Sequence, residues 1–351
     1  MKTKKIFFVA DAKSIHTAKW VDYFVQNKYD VYLATFASIN NTKCNNIFFL
    51  SNKNLNNSGG NYHYLFSIGK LSKILKKINP DFINAHYSYS MGLISLLAKK
   101  RAKTKANFSV VCHGSDILAP PKPYIFDRLN RYILNNCDKV FVVSNQIKDK
   151  VDTFGVSSNK IFIGQYGIDL DNNKYCTKDI DILSNRAYIP NSRIDFLLKS
   201  IDSLNIIDLN IVFVVPNISE NEFYKISIKY PYIIFYKEID YNKMMNLMSR
   251  AKIYISATKS DGTALSLFEA MKYKLIPLVS NIVSNRSWVL DGINGYLFNN
   301  KIDFIEKLNK ILNMKEEDIN NICNNNIKLL KNRGDYNKQM KKIETFLMDK
   351  K

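Results

Sequence analysis

Three consecutive stretches decide the fold: Lys252-Ile253-Tyr254-Ile255-Ser256, then Ser260-Asp261-Gly262-Thr263-Ala264-Leu265-Ser266-Leu267-Phe268-Glu269-Ala270-Met271, then Ile276-Pro277-Leu278-Val279. The first and last are short apolar runs. The middle one opens on a glycine turn and continues with helical spacing of Leu267, Phe268 and Met271. Strand, turn, helix and strand in that order make a crossover unit, and apolar strands without alternation belong to a parallel sheet covered on both faces. The same rhythm runs outward in both directions. Strands are predicted over 5–10, 30–36, 46–50, 82–85, 108–112, 139–143 and 161–163, and again over 181–185, 211–215, 232–236, 252–256 and 276–279. Helices are predicted over 15–27, 67–78, 91–100, 124–136, 145–154, 195–203, 219–228, 242–248, 264–273 and 302–314. No element is predicted between Met314 and Tyr336. The pattern lapses into Asp/Asn-rich chain over 167–178.

The expected architecture is therefore α/β: two doubly wound, Rossmann-like domains over 1–168 and 169–335, followed by a helix over 336–351. In that last segment Met340, Ile343, Phe346 and Leu347 fall at helical spacing, and the helix is expected to pack back towards the first domain. A chain of 351 residues suits two cores better than one.

Composition narrows the function classes. Hydrophobic content of 46% and charged content of 23% describe a globular chain. Cys44, Cys112, Cys137, Cys176 and Cys323 are odd in number and lack a C-x-x-C pair, which argues against a disulfide framework or zinc site and fits a reducing cytoplasm. The longest central apolar run, Met91 to Ala98, falls far short of the ~20 residues of a membrane span. The apolar run after Lys5 stops at Asp11, too early for a signal peptide. Net charge is +20: the first 170 residues carry 24 Lys and Arg against 10 Asp and no Glu, and the remainder carries 27 against 21 acids. An anionic membrane surface, a polyanion or phosphorylated ligands would each match this, as would a Lys/Asn-rich genome composition. No nucleic-acid recognition motif accompanies the charge, so no nucleic-acid partner is expected.

Several motifs are absent. Asp11-Ala12-Lys13-Ser14 stands where a G-x-G-x-x-G dinucleotide turn would follow the first strand, and there is no Walker A, G-x-S-x-G or H-E-x-x-H sequence. Asp169-Leu170-Asp171 and Asp179-Ile180-Asp181 imitate a D-x-D metal motif without its strand context, and no metal is expected.

The turn at 260–265 is the most informative chemistry. A Gly-Thr turn at a helix start leaves the backbone N–H groups of Thr263, Ala264 and Leu265, after Gly262, free to bind a phosphate. Asp261 in the turn and Glu269 two helical turns on can clasp the hydroxyls of a nucleotide sugar, Glu269 on the ribose and Asp261 on the hexose. The alternative is an ordinary capped helix start with a solvated Glu269.

This stretch, with Pro277-Leu278-Val279-Ser280 and Asp291-Gly292-Ile293-Asn294-Gly295, resembles the donor-binding core of glycosyltransferase family 4, written E-x7-E followed by a D/N-G-x-N-G hairpin; Asp261 replaces the first Glu. The resemblance continues through Asp11-Ala12-Lys13-Ser14-Ile15-His16, Asn84-Ala85-His86-Tyr87, Val111-Cys112-His113-Gly114-Ser115-Asp116, Gln165-Tyr166-Gly167-Ile168-Asp169 and Ser184-Asn185-Arg186. It implies the GT-B fold, two facing Rossmann-like domains with acceptor binding on the first and nucleotide-sugar binding on the second. It implies a retaining transfer of a hexose or N-acetylhexosamine, with a UDP-sugar the expected donor, to a bacterial surface glycan. Such an acceptor carried on a lipid would engage the inner face of the cytoplasmic membrane. Arg186 is implied at the donor diphosphate; the family's Lys five residues later is Asn191 here, and Arg193 is the nearest cation.

In the first domain, His113 is a candidate for positioning the donor sugar or a core histidine. Asp116 holds His113 and its turn, contacts substrate, or caps a helix. Ser14 and His16 face the acceptor by resemblance, His16 being equally readable as a surface histidine, and His86 is core or cleft. The competing function is a catalytically impaired nucleotide-sugar or glycan-binding homologue, made conceivable by Asp261 and Asn191. The helix over 65–78 buries Leu71, Ile74, Leu75 and Ile78 and presents lysines, which with Lys99, Lys100, Arg101, Lys103 and Lys105 form either a solvated face or a seat on anionic lipid.

Overall fold

The computed structural model describes residues 3–36, 38, 42–51, 62–118, 122–171, 176–204, 208–262 and 265–349. The chain forms two compact units, Met1–Tyr166 with Lys338–Lys351, and Gly167–Asn337.

In the first unit the strands are β1 (Lys5–Val9), β2 (Asp30–Thr35), β3 (Asn46–Phe49), β4 (Phe82–His86), β5 (Asn107–Cys112), β6 (Lys139–Val142) and β7 (Ile161–Ile163). The helices between them are α1 (Ile15–Gln26), α2 (Ile68–Ile78), α3 (Leu93–Ala102), α4 (Ser115–Leu118), α5 (Pro123–Asn135) and α6 (Asn145–Asp152). All seven strands are parallel, in the order β3-β2-β1-β4-β5-β6-β7. The strand order reverses between β1 and β4, so the C-terminal edges of those two strands flank the crevice in which α/β sheets bind ligands. Every residue of β4 is buried, Asn84 and His86 among them, so two polar side chains lie inside the sheet at the reversal.

The second unit repeats the plan with β8 (Ile180–Asn185), α7 (Ile194–Asp202), β9 (Ile211–Val214), α8 (Glu220–Lys229), β10 (Ile233–Tyr236), α9 (Tyr241–Arg250), β11 (Ala251–Ser256), α10 (Leu265–Lys272), β12 (Ile276–Ser280), α11 (Val283–Arg286), β13 (Tyr296–Phe298), α12 (Lys301–Leu312) and α13 (Glu316–Arg333). Its order is β10-β9-β8-β11-β12-β13, again all parallel, with the reversal between β8 and β11. One core, around Ile182, Leu197, Phe213 and Phe304, lies under α7 and α12; the other, around Leu183, Met248, Phe268 and Leu330, lies under α9, α10 and α13.

Four elements depart from the sequence expectation: the four-residue helices α4 and α11, the strand β13 and the helix α13. β13 has only three residues, too few to display a period, and completes the sheet as an edge strand beyond the Asp291–Gly295 bridge. α13 runs for 18 residues through an Asn-rich stretch of weak helix formers. Its first turn carries Glu316, Glu317 and Asp318 and its last turn Lys331 and Arg333, each sign complementing the helix dipole, while Ile322, Cys323 and Leu330 are buried. Of the junction expected over 167–178, residues 172–175 lie outside those described. Gly167 is required where it stands: its φ is +75° and an added Cβ would lie 2.3 Å from the Gly334 carbonyl oxygen. That close approach lets the Ile168 N–H donate to Gly334 O at 2.8 Å and the Tyr336 N–H to Ile168 O at 2.9 Å.

The last helix, α14 (Tyr336–Met348), places Met340, Ile343 and Leu347 in the first unit's interior. Tyr23 and Tyr29 hydroxyls both donate to Glu344, at 2.9 and 2.6 Å, and Lys139 donates to the carbonyls of Phe346 and Asp349. The Phe346 ring meets Phe141 edge-on at 5.3 Å.

Candidate active site

In the second unit the two strands that flank the reversal each deliver a charged residue just past their C-terminal ends. Arg186 directly follows β8, and Asp261 lies in the turn after β11. Arg186 Nη2 donates to Asp261 Oδ2 at 2.6 Å, with the two side chains only 18% and 21% exposed. Arg186 Nη1 reaches Ser266 Oγ at 3.4 Å, and that hydroxyl pairs with the Tyr254 hydroxyl at 2.9 Å. Burial opposes the Arg186 charge, but Tyr254 and Asp261 outweigh it and hold the guanidinium above its ordinary value. Burial pushes Tyr254 up, so its hydroxyl stays protonated in the pair with Ser266. A half-buried, fully charged, fork-shaped donor is thus fixed at the crevice, with geometry suited to phosphate oxygens.

Asn191 is a residue whose part the sequence did not disclose. Its Nδ2 donates to the Ser260 carbonyl at 2.9 Å, its Oδ1 accepts from the Ser260 N–H and hydroxyl at 3.2 Å each, and its own carbonyl accepts from the Lys259 N–H at 2.9 Å. Asn191 therefore pins the turn that carries Asp261. The only signal was that an amide stands where the resemblance calls for Lys. Arg193 lies with its guanidinium over the Phe196 ring, 4.2 Å from the centroid. Glu269, on α10, accepts from the Tyr241 hydroxyl at 3.3 Å, and Tyr241 is raised by burial first and by Glu269 second. Gly262 and Leu265 bound the turn that opens α10; Thr263 and Ala264 lie outside the described residues.

The D-x-D imitation at Asp179–Asp181 is occupied otherwise. Asp179 holds Arg250 through two bonds at 2.8 and 2.5 Å and Asp181 holds Lys252 at 2.8 Å, at the start of β8 and so at the far end from Arg186. Among the described residues no three His, Cys, Asp or Glu side chains converge as a metal site.

In the first unit, three histidines gather at the corresponding reversal. His86 ends β4, His113 follows β5, and His16 lies in the first turn of α1, which follows β1. His113 Nε2 lies 3.1 Å from His86 Nδ1. His16 Nδ1 lies 2.6 Å from the Tyr166 hydroxyl, and its ring centroid is 5.6 Å from that of His113. Burial first, and His16 second, pull His86 down to about 3. Burial, then His86 and His16, pull His113 well below its ordinary value. Both imidazoles are neutral at physiological pH.

Asp116 is buried behind this group. Its carboxylate accepts the backbone N–H groups of His113 at 3.1 Å, Gly114 at 3.0 Å and Ser88 at 2.8 Å. Burial pushes its carboxyl up and these donors pull it back down. With its oxygens so occupied, Asp116 holds the turn that presents His113. Ser14 caps α1, accepting from the His16 N–H at 3.2 Å. Tyr87, at φ +70°, lies with its ring tilted against His113, 4.7 Å between centroids, and precedes a π-turn over Ser88–Gly92. A non-glycine residue in the left-handed region beside a π-turn is backbone strain of the kind found at functional sites.

Two doubly wound sheets, each with polar side chains gathered where the strand order reverses, define a GT-B type α/β transferase architecture. Residues 5–144 match the family described as glycosyl transferase 4-like, and residues 170–330 match glycosyl transferases group 1. A glycosyltransferase from Rickettsia africae ESF-5 has a similar structure, with a TM-score of 0.80 at 16% identity over 100% of both chains. HepE of Anabaena, solved in complex with UDP-glucose, gives 0.79 at 13% identity over 98% of this chain and 99% of that one. Sucrose-phosphate synthase of Thermosynechococcus elongatus gives 0.81 at 12% identity over 97% and 98%. No curated protein sequence matches significantly. The chain belongs to the family-4, group 1 glycosyltransferases and is a glycosyltransferase enzyme with the GT-B fold. Among the described residues no helix is long and apolar enough to cross a membrane.

Proposed function

We propose that this enzyme moves a hexose or N-acetylhexosamine, with retention at the anomeric carbon, from a UDP-sugar to a hydroxyl of a lipid-linked bacterial surface glycan. The observation that carries the reading is the Arg186–Asp261–Ser266 constellation at the strand-order reversal of the second unit. HepE of Anabaena, a structural neighbour, binds UDP-glucose, which supports the choice of nucleotide.

In this reading Arg186, with the amides of the 262–265 turn, takes the diphosphate. Glu269, oriented by Tyr241, takes the ribose hydroxyls. Asp261 takes a hexose hydroxyl, and His113 lies against the sugar. His16, whose N–H donates to Ser14, belongs to the acceptor side; His86, buried, stands behind His113, Asp116 supports the His113 turn, and Arg193 is the second cation of the donor side. Retention proceeds on one face: the bond from the acceptor oxygen to the anomeric carbon forms as the bond to the diphosphate breaks. The acceptor proton passes to the departing phosphate oxygen. Stabilising charge on that leaving group is the main catalytic task, and Arg186 is the residue built for it. No metal is required in this scheme.

The lipid end of the acceptor is assigned to the inner face of the cytoplasmic membrane. Lys70, Lys73, Lys76 and Lys77 are exposed on α2 while Leu71 and Leu75 are buried, and Lys100, Arg101, Lys103 and Lys105 are exposed nearby in sequence. Each cation at an anionic surface contributes about 1 kcal/mol.

The test is a thermal-shift panel of UDP, GDP, ADP and their sugars on the wild type and on Glu269→Ala, followed by NMR of the product's anomeric configuration. A shift selective for UDP compounds that disappears in the variant, with a retained anomer in the product, is expected. Nucleotide binding without transfer to any acceptor favours the binding homologue, and an inverted anomer overturns the one-face mechanism.

A further inference from the structure

His86 and His113 end neighbouring strands, with His86 in register opposite Val111 of β5. Their facing nitrogens are 3.1 Å apart, a hydrogen-bond distance. Both rings are neutral, so each carries one proton, and only one of the two facing nitrogens can hold it. The arrangement has two versions. In one, His113 Nε2–H donates to His86 Nδ1, and His86 carries its own proton on Nε2. In the other, His86 Nδ1–H donates to His113 Nε2, and the proton of His113 sits on Nδ1.

The surroundings of His86 separate the two. The residue is 1% exposed, with the Trp20 ring edge-to-face at 5.3 Å and the Phe8 ring at 6.2 Å. Its Nε2 is buried and has no hydrogen-bond partner among the described residues. A proton there would be a buried N–H without an acceptor, a situation rarer and costlier than an unfilled acceptor lone pair. The second version leaves only a lone pair at that position.

We infer that His86 is a positioning residue that holds His113 in the Nδ1–H tautomer. His113 then has its Nε2 lone pair occupied by His86 and its one proton on the nitrogen outside the pair. It acts towards the sugar as a hydrogen-bond donor, and it is not a general base. The ligand atom opposite it must be an acceptor, such as a hydroxyl or ring oxygen of the sugar. That consequence rests on the placement of His113 against the donor sugar, while the tautomer itself rests on the pair alone.

The experiment is ring-nitrogen NMR of the full-length chain labelled with nitrogen-15, at neutral pH. The chain has four histidines, His16, His63, His86 and His113, so assignment by single substitutions is tractable. In the wild type the proton of His113 is expected on Nδ1 and that of His86 on Nδ1. His86→Asn places an amide N–H near the position of the lost Nδ1 and is expected to keep the His113 tautomer. His86→Phe fills the space without a donor and is expected to yield a mixture of both tautomers. Transfer from UDP-glucose is expected to fall about tenfold or more in His86→Phe and to recover largely in His86→Asn. A His113 proton on Nε2 in the wild type overturns the inference, as does a His86 proton on Nε2 directed at Trp20. Transfer at the wild-type rate in a folded His86→Phe protein removes the positioning role. A wild type with the stated tautomers but no sugar transfer refutes the proposed function and leaves the pair standing.

Discussion

Acid should unfold the first unit before the second, and the two neutral histidines set the size of the effect. His86 is held down at about 3, and His113 well below its ordinary value, both by burial first. In the unfolded chain each titrates near ~6.5. Because the folded values lie below the unfolded ones, the unfolded state binds the extra protons on the way down. The associated stability is complete above ~6.5 and is lost as pH falls towards the folded values, for His86 between about 6.5 and about 3. Each proton costs ~1.4 kcal/mol per pH unit, so His86 alone removes on the order of 3 kcal/mol by pH ~4.5, against a total stability of ~5–15 kcal/mol, and His113 acts in the same direction. Asp116, pushed up by burial, works in the opposite sense and trims the slope. The second unit contains no histidine. The chain has two tryptophans, Trp20 in the first unit and Trp288 in the second. Urea unfolding of Trp288→Phe, followed by Trp20 fluorescence at stepped pH from 7.5 to 4.5, isolates the first unit. Repeating it with His86→Phe should lower the slope by about one proton, or ~1.4 kcal/mol per pH unit. A Trp20 transition independent of pH, or an unchanged slope in His86→Phe, refutes the reasoning.

Three further outcomes are expected. Arg186→Met should lower kcat/KM by about 10²–10³, Asp261→Asn should cost less, and the double variant should fall short of the product of the two, because the side chains touch at 2.6 Å. Steady-state kinetics of all three variants checks this, and full additivity would deny the coupling. Gly167→Ala should destabilise the second unit by ~3 kcal/mol or more, since the new Cβ meets Gly334 O at 2.3 Å, whereas Gly155→Ala, at φ +76° with open space around it, should cost only ~1–2 kcal/mol; urea midpoints decide between them. Glu344→Gln should loosen α14 by ~1–3 kcal/mol, because the charged acceptor of Tyr23 and Tyr29 is lost. Its carboxyl is held below the ordinary value, so in the wild type this stability is present above ~4.5 and lost as pH falls further, which hydrogen exchange across 336–348 would register.

How much of this was legible in the sequence depended on whether a segment's partners were local. Strands such as β9 and β12 are buried along their full length and therefore announce themselves as apolar runs. β13 is three residues long and exists because β12 offers it an edge, and α13 depends on burying Ile322 and Leu330 beneath weak helix formers. Both are decided by tertiary packing, which no window of 11 to 18 residues contains. The site follows the same division. Arg186 and Asp261 could each be placed at a strand end from the sequence, 75 positions apart, but that they share a hydrogen bond follows only from β8 and β11 being neighbours at the reversal. His86 and His113 are brought together in the same way by β4 and β5. Asn191 was legible only as a missing Lys, and its three bonds to Ser260 needed the fold.

The two reversals carry opposite electrostatics, and the difference matches the chemistry proposed for each. At β8 and β11 a charged guanidinium is kept charged despite burial by a carboxylate and a phenol, an arrangement suited to a ligand with formal negative charge. At β1 and β4 the side chains are imidazoles stripped of charge by burial and by each other, with Asp116 turned away onto backbone amides. Neutral donors and acceptors are what hydroxyl groups require. All four histidines lie in the first unit, the half with the greater net positive charge, so the neutral pocket is an exception to its own surroundings. Exposed lysines give that unit its field, and burial removes the charge only where the rings meet. A substitution that restores a fixed charge at this point, such as His86→Lys, should therefore weaken sugar transfer more than the isosteric loss of the imidazole does. Equal losses in His86→Lys and His86→Phe would mean that neutrality at the first reversal has no part in the reaction.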